Sequence, residues 1–281
     1  MAGLYKIITD FSNNRSSVTR SFNKSYEIPE GLFNGLDNNG FPKINTWVFE
    51  ALNSGKELYF GHLKNSFPNF YRILIEECSD LSLIEVKTKD LSLAGNKNGG
   101  YRLDYSFAIV SSASQLICFS LPGVFDDMDD RINEVSEETE GLPKVIQELY
   151  YSFDRFDKFD LEEDGVSNSL IENIGHYKKM ENNLEYKYDS YKESYLSNRV
   201  SNEMSIIIQT GCFDYLLIDS ERNDQKLYLS IGPGFDNLKE LKNPAEHLDA
   251  YFSQVLMGTC PRKPNPYNDD GDTYYSLDVE F

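Results

Sequence analysis

The chain has 281 residues, of which 40% are hydrophobic and 14% aromatic, enough for a packed core and too apolar for global disorder. Its 27 basic and 46 acidic residues leave a net charge of −19, a field that repels phosphate backbones and anionic lipid, so neither nucleic acid nor a membrane surface is an expected partner. No run approaches the ~18 apolar residues of a membrane span, and no apolar stretch follows a basic start at the amino terminus. Four scattered cysteines (Cys78, Cys118, Cys212, Cys260) lack metal-type spacing, so the protein is expected to be cytoplasmic with reduced thiols.

Residues 1–40 alternate short apolar pieces, Leu4 to Ile8 and Ile28 to Phe33, with turn formers, which predicts irregular structure or a short edge strand. Ile44 to Leu52 has helical spacing, with Trp47, Val48 and Leu52 on its buried side and Asn53-Ser54-Gly55 as its stop. Leu58-Tyr59-Phe60, Tyr71 to Ile75 and Leu83 to Val86 read as strands. From Tyr101 to Ile109 the period is two, with Tyr101, Leu103, Tyr105, Phe107 and Ile109 on one side. Ser111 to Ser114 then leads into Leu116 to Phe119 as a hairpin. The predicted first unit, residues 1–125, is a small α+β domain on an antiparallel sheet.

Between Asp126 and Asp164 stand fifteen acidic residues against Arg131, Lys144, Arg155 and Lys158, a local net charge of −11. This shift in composition places a domain boundary near Asp126. Ile132 to Thr139 reads as a charged helix closed by Gly141, with Pro143 in the first turn of the next. In that second helix Val145, Ile146, Leu149, Tyr150 and Phe153 form an apolar stripe, with Lys144, Gln147, Glu148 and Asp154 outside it. Asp154, Asp157 and Asp160 share helical i, i+3 spacing, which would set three like charges on one face.

Leu170, Ile171, Ile174, Tyr177 and Met180 suggest a further helix. Ser205 to Gln209, Tyr215 to Asp219 and Leu227 to Leu229 predict three strands, the last broken by Gly232-Pro233-Gly234. After Asn243 and Pro244 comes a helix with Leu248, Tyr251, Phe252, Val255 and Leu256 on one face and Gly258 as its stop. Residues 259–281 are an acidic, Pro-rich tail, extended or partly disordered unless its aromatics (Tyr267, Tyr274, Tyr275, Phe281) dock.

Motifs that carry chemistry are scarce. His62, His176 and His247 stand alone, and there is no Gly-x-Ser-x-Gly elbow. Gly232-Pro233-Gly234 lacks the Lys-Ser/Thr of a phosphate loop. Asp126-Asp127 with Asp129-Asp130 lacks the alternation and closing glutamate of a calcium loop. Paired carboxylates for hydrolysis stay open, because separation in space is not readable from sequence.

Several stretches in order are similar to one family. Glu137-Glu138 precedes Gly141-Leu142-Pro143, followed by Gln147-Glu148-Leu149-Tyr150 and Phe153. Downstream come Ile206-Ile207-Ile208, the run Gly211-Cys212-Phe213-Asp214-Tyr215 to Asp219, and Leu227-Tyr228-Leu229. Tyr251, Phe252 and Leu256 close the series. From about Asp130 to Gly258 the chain resembles the SUKH superfamily, whose members include many immunity proteins against bacterial toxins. The family's common Asn-Gly after the second helix is replaced by Asp154-Arg155, and residues 1–125 and the tail lie outside the resemblance.

The resemblance implies a SUKH-like α+β domain over residues 126–258, helices packed on an antiparallel sheet, acting as a binding module rather than an enzyme, with no cofactor or metal. Its expected partner is a cognate toxin with a basic active-site surface, met by Asp126, Asp127, Asp129, Asp130, Asp154, Asp157, Asp160, Glu162, Glu163 and Asp164. Two other classes remain open: a regulatory or structural adaptor, and a metal-dependent hydrolase in residues 1–125.

Overall fold

In the computed structural model the described residues are 16–30, 46–89, 101–112, 115–120, 133, 136, 140–152, 156–160, 167–171, 178–179, 204–210, 214–219, 226–232, 238–264 and 273–279. Among these residues four helices pack with antiparallel sheets, an α+β architecture as expected.

The first sheet has the strand order β1 (Ser16–Phe22), β2 (Ser82–Lys89), β3 (Tyr101–Val110), β4 (Gln115–Ser120), β5 (Phe156–Asp160) and β6 (Ser167–Ile171). The edge strand foreseen near the amino terminus is β1, set between the two apolar pieces rather than on either. β3 and β4 form the expected hairpin, pairing Phe107 with Phe119 and Ile109 with Ile117. Period-two alternation sorts neighbours to opposite faces: Leu83 and Phe107 join the main core, while Ile84 and Ala108 join a smaller cluster with Val18, Val110, Leu116 and Cys118.

Helix α1 (Thr46–Tyr59) has Val48 and Leu52 buried, as expected of the helix read over Ile44 to Leu52, and breaks at Gly55, whose φ of 77° is a conformation that side chains resist; Ile44 lies outside the described residues. The chain resumes helical turns beyond Gly55, so Leu58 and Tyr59 are helical where a strand was expected. Tyr71 to Ile75 is corrected likewise. It belongs to α2 (Pro68–Glu76), in which Phe70, Ile73 and Leu74 make a one-turn apolar stripe and Pro68 suits the start.

The second sheet runs β11 (Lys239–Glu240), β10 (Leu227–Ser230), β9 (Tyr215–Asp219), β8 (Met204–Gln209), β7 (Lys178–Lys179). Its three central strands are those read from sequence. α3 (Lys144–Ser152) precedes β5, and α4 (Pro244–Met257) follows the second sheet, ending at Gly258 in the left-handed conformation. Asn243 takes the capping position of α4 without a side-chain bond to the helix backbone; its Nδ2 donates instead to Glu246 Oε2 at 3.0 Å.

Two expectations in the second half change, and the tail takes the docked alternative. Asp157 and Asp160 lie in strand β5, paired opposite Cys118 and Gln115, so the one-face helical argument for Asp154, Asp157 and Asp160 does not apply. Leu170 and Ile171 end strand β6, not a helix; β5 pairs with Ser167 to Ser169 and with Ile171, and the register shifts at Leu170. The tail docks: β12 (Arg262–Pro264) pairs with β13 (Thr273–Tyr275), and Tyr275, Leu277 and Val279 are buried in the main core.

That core draws on Phe60, Phe67 and Phe70, on Ile146 and Tyr150 of α3, on Leu216 and Leu229 of the second sheet, and on Leu248 and Phe252 of α4. The rings of Phe70 and Phe252 lie 5.2 Å apart. Both the first sheet and this cluster draw on residues before and after Asp126. No helix among the described residues is long and apolar enough to cross a membrane.

Candidate functional site

Of the ten acidic residues expected to meet a partner, Asp126, Asp127, Asp129, Asp130, Asp154, Glu162, Glu163 and Asp164 lie outside the described residues. Asp157 and Asp160 are described as backbone in β5. The described frame of the acidic segment is therefore α3 and β5.

The frame follows from local chemistry. Asn133 and Ser136 are helical, and the rest of the expected first helix lies outside the described residues. Gly141 turns the chain at a φ of 90°. Pro143 sits immediately before α3 rather than inside it, and its carbonyl accepts from the amides of Ile146 (2.8 Å) and Gln147 (3.2 Å). Gln147 Nε2 donates to the Leu142 carbonyl at 3.2 Å, tightening the turn. Ile146, Leu149 and Tyr150 are buried as the apolar stripe requires, and Val145 is half-buried against the same core. Tyr151 meets the ring of His62 at 5.7 Å and lies 3.1 Å from Ser136 Oγ, joining the acidic segment to the turn at Gly61–Lys64.

Glu148 departs from expectation. Placed outside the stripe by its position, it is only 8% exposed. Oε1 stands 3.7 Å from Lys144 Nζ, whose side chain is 87% exposed, and Oε2 is sealed from solvent with no hydrogen-bond partner. A carboxylate so placed has lost water without gaining full replacement.

Four further polar constellations were not foreseen from sequence. On the first sheet a bulge between Val18 and Arg20 turns Thr19 Oγ1 onto Glu85 Oε1 at 2.5 Å. Tyr105 donates to Glu85 Oε2 at 2.6 Å, and Arg20 Nε lies 3.5 Å from Oε1. Burial, then the bond to this carboxylate, pushes the Tyr105 phenol above its ordinary range.

Asp249 of α4 caps α2 from the far end of the chain. Its Oδ1 accepts from Phe70 N at 2.8 Å, and Oδ2 accepts from Asn69 N at 3.2 Å and Asn69 Nδ2 at 2.9 Å. Asp214, wholly buried at the head of β9, ties three segments together. Oδ1 accepts from Gly232 N at 2.8 Å, and Oδ2 from Ser276 Oγ and from Leu277 N at 2.9 Å. His247 Nε2 meets the Leu277 carbonyl at 2.8 Å, and burial holds its imidazole below the usual value.

A signal for the carboxylates was present in sequence: Glu85, Asp214 and Asp249 each interrupt an apolar run, where an acid is either exposed or structural. Cys78, Cys118 and Cys260 are buried thiols outside any disulfide, and burial pushes the Cys78 thiol up to about 12, far from nucleophilic. Among the described residues no group of three or more His, Cys, Asp or Glu side chains is arranged to hold a metal ion. Glu85, Asp214 and Asp249 are saturated by donors from the fold itself, so they hold strands, tail and helix rather than presenting reactive oxygen. Glu148 alone among these buried carboxylates keeps an oxygen without a donor.

No protein-family model, no curated protein and no solved structure matches this chain.

Proposed function

We propose that this protein is a cytoplasmic immunity protein that binds a cognate bacterial toxin and occludes its active site with an acidic surface, and that it is not itself an enzyme. The observation that carries the reading is the concentration of charge: fifteen acids against four bases between Asp126 and Asp164, in a chain of net charge −19. A toxin that acts on nucleic acid must bind phosphate, so its site is basic; an acidic surface is complementary to it and is steered toward it at long range. The resemblance of residues 130–258 to SUKH immunity proteins supports the same assignment.

The test is co-purification with the product of the neighbouring gene, followed by binding in rising salt. Association between exposed charges is screened within about 8 Å at physiological ionic strength, so affinity and on-rate should fall steeply as salt increases. Failure to capture that product at low salt, or capture indifferent to salt, counts against the reading.

A further inference from the structure

We propose that Glu148 is the socket for an arginine side chain of the protein partner, which displaces Lys144 and forks onto both carboxylate oxygens. The inference rests on the reading of the protein as an acidic binding module and names the contact at its anchored part.

Three observations converge on α3. First, Glu148 is 8% exposed and its Oε2 has no hydrogen-bond partner, whereas Glu85, Asp214 and Asp249 are each held by several donors. A buried carboxylate with an empty oxygen is the kind of exception that asks for an absent donor.

Second, the cation now beside it is badly placed. Lys144 is the first residue of α3, where the helix dipole disfavours positive charge, and it precedes its glutamate by four residues, the weaker order for such a pair. At 3.7 Å from Oε1 and 87% exposed, it is a loose cover that leaves at little cost.

Third, the element is rigid. Ile146, Leu149 and Tyr150 lock α3 into the core, so the helix that carries Glu148 is held in place before any partner arrives.

The Glu148 carboxylate suits a guanidinium better than an ammonium. Arginine presents parallel N–H donors that match both oxygens of one carboxylate, while lysine is a point charge that serves one direction. The terminal torsion of a glutamate is soft, so rotating the carboxylate brings Oε2 toward the face that Lys144 vacates.

The full-length chain is titrated at low salt against fluorescent tetra-arginine and tetra-lysine peptides and followed by anisotropy. The wild-type chain should bind tetra-arginine several-fold tighter than tetra-lysine. Glu148→Gln should weaken tetra-arginine binding by about tenfold or more, the scale of a hydrogen bond to a charged group, and leave tetra-lysine nearly unchanged. Lys144→Ala should strengthen tetra-arginine binding, a gain that needs no loss-of-fold argument. Glu57→Gln removes the same charge from an exposed position on α1 and should leave the arginine preference intact. Thermal melts of each variant confirm folding.

Equal effects of Glu148→Gln and Glu57→Gln, or no gain on Lys144→Ala, overturn the socket while leaving the acidic surface standing. Failure of both peptides to bind the wild-type chain at low salt instead removes the reading beneath it.

Discussion

Replacing Asp249 by alanine should loosen the start of α2, 179 residues away in sequence, before it disturbs anything nearby. The carboxylate accepts from two backbone amides and one side-chain amide, at 2.8, 3.2 and 2.9 Å. Loss of an N-terminal cap costs about 0.5–2 kcal/mol, and the buried amide of Phe70 left without an acceptor adds about 1–3 kcal/mol. Part of the second term is recovered if water enters, so a net loss of about 2–4 kcal/mol is expected for Asp249→Ala. Asp249→Asn retains an acceptor but sets an amide against the Asn69 donors, and should cost about half as much.

Urea unfolding measures the change, with the midpoint lowered and the slope unaltered. Native-state hydrogen exchange locates it: the amides of Asn69 and Phe70 should lose protection first. A double-mutant cycle with Asn69→Ala should show coupling, since the two side chains share a bond. If Asp249→Ala stays within about 0.5 kcal/mol of wild type, the range of an unimportant surface change, the capping argument is wrong. Loss of protection confined to α4, with Asn69 and Phe70 unaffected, would refute it equally.

Three further outcomes follow from the same structure. Leu277→Ala should cost about 2–5 kcal/mol by chemical unfolding, because Leu277 is wholly buried and its backbone is gripped by Asp214 and His247; exchange should speed up at residues 275–279. His247 is held below its ordinary value near 6.5 by burial, so its contribution to stability is complete above that value and is lost as pH falls through the lowered one. Melting temperatures from pH 7.5 down to 5 should therefore drop less steeply in His247→Asn than in wild type. Tyr105 is shifted the other way, so its contribution is complete below the ordinary phenol value near 10 and is lost as pH rises from there toward the raised value. Ultraviolet titration should show late-ionising tyrosine absorbance that Tyr105→Phe reduces by one residue's worth, and the variant should lose less stability between pH 9 and 11.

How much of this was legible depended on range. Where apolar residues recur at two or at three and four, one segment carries the whole signal, and β3, β8, β9, α3 and α4 were readable from it. Tyr71 to Ile75 misled because its four aromatic and aliphatic residues, interrupted only by Arg72, satisfy either period. Pro68 and the Asp249 cap favour the helix, and the cap comes from a distant segment. Glu148 misled for the opposite reason: its position on the helical wheel is polar, yet the surrounding fold closes over it. Asp157 and Asp160 had helical spacing by coincidence within a strand whose ladder is supplied by β4.

Of the acidic segment, sequence alone established the charge, which needs no coordinates to exert a field. It also established the α+β class and the apolar stripe that anchors α3. Tertiary structure alone decided that β5 and β6 extend a sheet begun before Asp126, that the tail returns to the core through Asp214, and that Glu148 is buried with an oxygen to spare. Each of these joins groups far apart in the chain, and a hydrogen bond or a buried surface across that separation leaves no period in the sequence between them.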